Sequence, residues 1–125
     1  MTTANSARVL VIGLDPYRVP GPWDPEPVAQ EIAVGLARFA DHAVPVTTCL
    51  LGLDGSDDVA SRVRSALDNG PYTCVVIGGG LRDSDETLPL FETVINLVHQ
   101  HAPGAAIAFN RTPQDTYDAA ARWLA

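Results

Sequence analysis

A chain of 125 residues that is 46% hydrophobic fits one domain with an ordinary buried core. Its formal charge of −7 argues against nucleic-acid binding by charge alone, which takes a basic face. No apolar run approaches the ~20 residues that span a bilayer, and the start MTTANSARVLVIG lacks a basic n-region. The expected compartment is therefore the cytoplasm.

Residues 8–13 (RVLVIG) are a continuous apolar run ending in Gly, the pattern of a strand buried on both faces. The following LDPYRVPGPWD contains prolines 16, 20 and 22, which keep it out of helix. Asp24, Pro25 and Glu26 then supply an N-cap, a first helical position and a first-turn acid. This helix runs to about residue 40, with Val28, Ile32, Leu36 and Phe39 at helical spacing. Gln30, Glu31, Arg38 and Asp41 are assigned elsewhere on it.

Residues 44–51 form the second strand, and Pro45 near its start suits an edge position. After the turn GLDGS, a helix over residues 57–68 gathers Val59, Val63, Ala66 and Leu67 on one face. Asn69, Gly70 and Pro71 stop it. Residues 72–77 are the third strand, followed by Gly78, Gly79 and Gly80. Asp83 and Glu86 have capping-box spacing, but Pro89 would then disturb the helix interior. A start near Thr87 avoids this and leaves a loop over residues 78–87. Residues 105–109 are a short buried fourth strand, and Thr112, Pro113 and Asp115 cap a last helix.

The order βαβαβαβα with short crossovers implies a parallel sheet. The expected fold is a flavodoxin-like three-layer α/β/α sandwich with a four-stranded parallel sheet, strand order 2-1-3-4, in a single domain over residues 1–125. The fourth strand is left as a bare apolar edge, which invites pairing or burial. Leu90 and Leu97 broaden the apolar face of the third helix. Together these features fit a homodimer; an unusually well-buried helix accounts equally for the two leucines.

In an open parallel sheet the ligand crevice lies beyond the carboxyl ends of the strands, where strand order reverses. Here that is between the first and third strands, flanked by the connections 14–24 and 78–87. All eight basic residues are arginine, so lysine chemistry is excluded and anions fall to guanidinium groups. Arg18, Arg82 and Arg111 lie on this rim, and Gly78, Gly79 and Gly80 allow close backbone approach, which together read as an anion site. The same residues also serve simply as ion-pair partners and turn formers. Tyr17 and Trp23 form an aromatic wall or a packed lid. Asp15 is the acid/base candidate, with a turn role before Pro16 as its alternative. Asn110 orients a carbonyl or amide, or satisfies its own turn.

No metal-ligand set is expected: His42 falls at the opposite rim, and His99 and His101 do not face one ion from a helix end. No cofactor is expected either. GxxxxGK[ST], GxGxxG, an acceptor Asp after the third strand and a nucleophile elbow are all missing. Cys49 and Cys74 fall inside strand patterns as inert buried thiols.

VLVIGLDPY, residues 9–17, resembles the opening strand and loop of pyroglutamyl peptidases. That resemblance implies an α/β fold with a ligand-facing first loop. The family's Cys–His–Glu triad is not matched: neither cysteine begins a helix and no histidine reaches the rim.

The expected function is binding of a small, anionic ligand at the carboxyl-end rim, through Asp15, Tyr17, Arg18, Trp23, Arg82, Asn110 and Arg111. Any turnover would be metal-free hydrolytic or lyase chemistry with Asp15 as base. The alternatives are a non-catalytic homodimeric interaction module and a cofactor domain that has lost its flavin or phosphate site.

Overall fold

A computed structural model describes residues 7–124. The β-branched run at the start forms β1 (Val9–Leu14), the strand with neighbours on both sides. It pairs in parallel with β2 (Val46–Leu51), Val9 opposite Val46, and with β3 (Cys74–Ile77), Val9 opposite Cys74. β3 pairs in parallel with β4 (Ala106–Phe109), Cys74 opposite Ala106. The order β2-β1-β3-β4 is the one expected from the chain pattern.

Alternation along the two inner strands divides the core into two layers. Leu10, Ile12, Val75 and Ile77 pack with α2 (Val59–Asp68) and α3 (Leu88–His101) through Val63, Leu67, Val94 and Val98. Val9, Val11, Cys74 and Val76 pack with α1 (Glu26–Asp41) and α4 (Thr116–Ala121) through Phe39, Ala119 and Ala120. Each fully buried aliphatic side chain contributes ~1.5–3 kcal/mol, which is why both faces of β1 and β3 must be covered.

Several local expectations are corrected. α1 begins at Glu26, one residue late, with Pro25 rather than Asp24 at the N-cap; Asp24 precedes it and accepts a 3.0 Å hydrogen bond from the Glu26 N–H. α2 begins at Val59, because Asp58 takes the cap at the Ser61 N–H (3.2 Å) and Asp57 turns elsewhere. α3 starts at Leu88, beside the expected Thr87. The loop before it is wound into two single 3-10 turns, Gly79–Leu81 and Asp85–Thr87. Ser84, rather than Asp83, accepts the capping N–H, from Thr87 at 3.3 Å.

Leu97 is buried, and Leu90 is half-buried and packs against the same core. β4 is less buried than expected: Ala108 is enclosed but Phe109 is 40% exposed at the sheet edge. Both cysteines are buried and free, and burial pushes the Cys74 thiol up to about 11. Among the described residues no helix is long and apolar enough to cross a membrane.

Candidate functional site

A cavity of about 340 Å³ opens between α1 and the carboxyl-end half of the sheet. Val11 and Gly13 of β1 with Thr48 and Leu50 of β2 form its floor, and Val28, Ile32 and Leu36 of α1 form one wall. Gly78, Gly79 and Gly80 border it beyond β3, and Pro16, Val19 and Trp23 border it from the first loop. It therefore lies beside the β1/β3 boundary, where the strand order reverses.

α1 is anchored at its far end by Phe39, which is fully buried under the sheet. Its middle rests on the turn after β4 at Gly35, where a Cβ would be only 3.0 Å from the Pro113 carbonyl carbon. Val28, Ile32 and Leu36, on either side of that contact, stay half-buried and border the cavity.

The expected site residues separate into two groups. Trp23, Gly78, Gly79, Gly80, Asn110 and Arg111 border the cavity. Asp15, Tyr17, Arg18 and Arg82 do not. Trp23 is held by its Nε1–H, which donates to the Val19 carbonyl at 3.1 Å. Tyr17 is 59% exposed and donates its hydroxyl to Glu26 at 2.7 Å, so the aromatic wall has one member. Two of the three glycine N–H groups are already used: Gly78 donates to the Ile12 carbonyl (2.8 Å) and Gly79 to Asn110 Oδ1 (3.0 Å). Arg111 is exposed, and among the described residues its guanidinium has no hydrogen-bond or ion-pair partner.

Arg82 has a structural task. Its guanidinium donates to the Ile77 carbonyl at 2.8 Å and to the Asn110 carbonyl, and lies 5.2 Å from the centre of the Phe109 ring. It ties the carboxyl ends of β3 and β4. Arg82→Ala is therefore expected to lower stability by about 1–3 kcal/mol, the worth of charge-assisted bonds to partly buried carbonyls. Urea unfolding checks this; an unchanged midpoint would leave Arg82 free for another role.

Asp15 and Arg18 are likewise engaged. Asp15 accepts from the Tyr17 N–H and from Arg18 Nε, each at 3.0 Å. Arg18 also donates to Asp57 (2.9 Å) and to the Leu50 carbonyl (3.0 Å). Asp57 is the centre of this network and was not singled out in the sequence. One of its oxygens accepts from the Gly52 N–H (2.8 Å), Arg18 (2.9 Å) and Arg62 (2.9 Å). The Gly52 N–H and then the two guanidinium groups hold its carboxyl down from the ordinary 3.8 to about 2.

A carboxyl depressed in the folded state contributes stability that is complete above its unfolded pKa and lost as pH falls through the folded one. The difference in thermal midpoint between the wild type and Asp57→Asn is thus expected to be full near neutrality and to shrink between about pH 4 and pH 2. A difference that stays constant across this window would show that the network is not stabilised through Asp57 ionisation.

Glu31, which the sequence reading placed away from the apolar face of this helix, is corrected to that face. Residues 28, 31, 32, 35, 36 and 39 follow the i, i+3, i+4, i+7, i+8, i+11 pattern of one helix face. Glu31 is thus the charged member of the inward stripe of α1, half-buried and bordering the cavity. Asp83 borders it from the loop after β3. No protein-family model matches this chain, and no curated protein matches it either.

Proposed function

We propose that the protein binds a small molecule with an apolar body and an anionic end in the cavity beneath α1. The observation that carries this reading is a largely aliphatic cavity at the strand-order reversal with an unpartnered guanidinium, Arg111, at its border. Its volume of about 340 Å³ falls at the lower end of ligand pockets. A carboxylate or phosphate suits Arg111 by bidentate pairing. If the ligand is turned over, by hydrolysis or elimination, the acid/base groups are the cavity carboxylates Glu31 and Asp83 rather than Asp15, whose oxygens are taken. A cytoplasmic setting belongs to the same reading.

The test is a thermal-shift series with branched and aromatic carboxylates on the wild type and on Ile32→Trp, which puts a bulkier side chain into the cavity. Ligands at 100 times their Kd stabilise by ~2.7 kcal/mol, a shift that the filled variant should not show. Failure of the whole series, or an equal response from Ile32→Trp, would overturn the reading.

A second reading, a homodimeric interaction module, draws on the open β4 edge and the 40% exposed Phe109. It predicts a mass of two chains in solution that Phe109→Glu reduces to one.

A further inference from the structure

Glu31 is half-buried on the inward stripe of α1 and borders the cavity. Five of the six positions on its stripe are Val28, Ile32, Gly35, Leu36 and Phe39, and the stripe faces the sheet. A charged side chain loses hydration as it is buried and then gains from a partner. The arginines nearest the rim are committed elsewhere: Arg18 to Asp15 and Asp57, Arg62 to Asp57, and Arg82 to main-chain carbonyls. Arg38, further along α1, is paired bidentately with Asp118. Among the described residues, the Glu31 carboxylate has no hydrogen-bond or ion-pair partner. Nor does that of Asp83, which borders the same cavity.

The cavity border therefore carries two unpaired carboxylates and one unpaired guanidinium around an aliphatic interior. An anionic ligand that satisfied Arg111 alone would leave a net negative border facing its own charge. A ligand bearing an ammonium group as well satisfies both signs at once. We infer that the cavity accepts a small zwitterion with an apolar side chain, an aliphatic or aromatic α-amino acid, whose ammonium pairs with Glu31 and whose carboxylate pairs with Arg111. This rests on the cavity being a ligand site, as proposed above, and adds the cationic group and the residue that reads it.

Leucine, isocaproate (leucine without its amine) and isoamylamine (leucine without its carboxylate) separate the contributions. Calorimetric titration of the full chain is expected to show leucine binding about 10- to 100-fold more tightly than isocaproate, the range for a charge-assisted contact. Glu31→Gln is expected to remove that advantage and to weaken isoamylamine, while isocaproate binds at least as tightly as before, since the border loses a negative charge. The unliganded variant should be at least as stable as the wild type, since it loses an unpaired charge. That measurement separates a binding defect from a folding one.

Isocaproate binding as tightly as leucine, or leucine binding unaltered by Glu31→Gln, would overturn the assignment of Glu31 and leave the cavity reading standing. Failure of both leucine and isocaproate to bind the wild type would overturn the zwitterion; a silent carboxylate series would then remove the cavity reading as well.

Discussion

Gly35→Ala is expected to destabilise the protein by about 1–3 kcal/mol, the usual cost of forcing an atom into a packed interior. In an open helix the same substitution gains ~1 kcal/mol from helix propensity. The sign reverses here because α1 crosses the turn after β4 at this residue. The added methyl would overlap the Pro113 carbonyl oxygen, with the Gln114 Cα only 3.4 Å away. All of these are backbone atoms, so no side-chain rotation relieves the overlap; α1 or the turn must move. Both border the cavity, so ligand response should fall together with stability. Gly104, where a Cβ meets nothing within 4 Å, supplies the control. Gly104→Ala should stay within ~0.5 kcal/mol of the wild type. Urea midpoints for the two variants decide the matter, and equal midpoints would mean that α1 does not depend on close approach at Gly35.

Asn110→Ala is expected to cost about 2–4 kcal/mol, from the loss of two hydrogen bonds and the stranding of a donor. The side chain is 5% exposed at the end of β4. Its Oδ1 accepts from the Gly79 N–H and its Nδ2 donates to Thr116 Oγ1, each at 3.0 Å. The Thr116 hydroxyl already donates its own proton to the Pro113 carbonyl at 2.7 Å. Only a donor can therefore face Thr116, and this makes Asn110→Asp informative. Aspartate keeps the acceptor for Gly79 but sets a carboxylate oxygen against a hydroxyl whose proton is spent. Asp should accordingly be no better tolerated than Ala at neutral pH. If it were neutral, Thr116 would have to turn its hydroxyl proton away from Pro113. The amide proton of Gly79 is the direct probe: its exchange should accelerate in Asn110→Ala and remain slower in Asn110→Asp.

The fold was legible in the linear pattern because its determinants are local. The apolar runs at residues 8–13 and 72–77 have the length and pattern of strands covered on both faces, and the helical stripes between them fit parallel crossovers. Strand order 2-1-3-4 follows, and with it the position of the cavity beside β1 and β3. What the pattern left open is which polar groups face the cavity. Arg82 and the Asn110 carbonyl, one of the two it binds, are 28 residues apart, and Arg18 and Asp57 are 39 apart. Their pairing depends on sheet register and on how two loops fold back, neither of which leaves a local trace. Once those pairs form, Asp15, Arg18 and Arg82 are committed, and Arg111 is the rim arginine left facing the cavity.

Glu31 is the intermediate case. Its place on the inward stripe of α1 is a matter of 3.6-residue periodicity and stands in the chain itself. That the stripe borders a cavity, and that Gly35 packs against the Pro113 backbone, involves residues from different elements that meet only in the assembled fold.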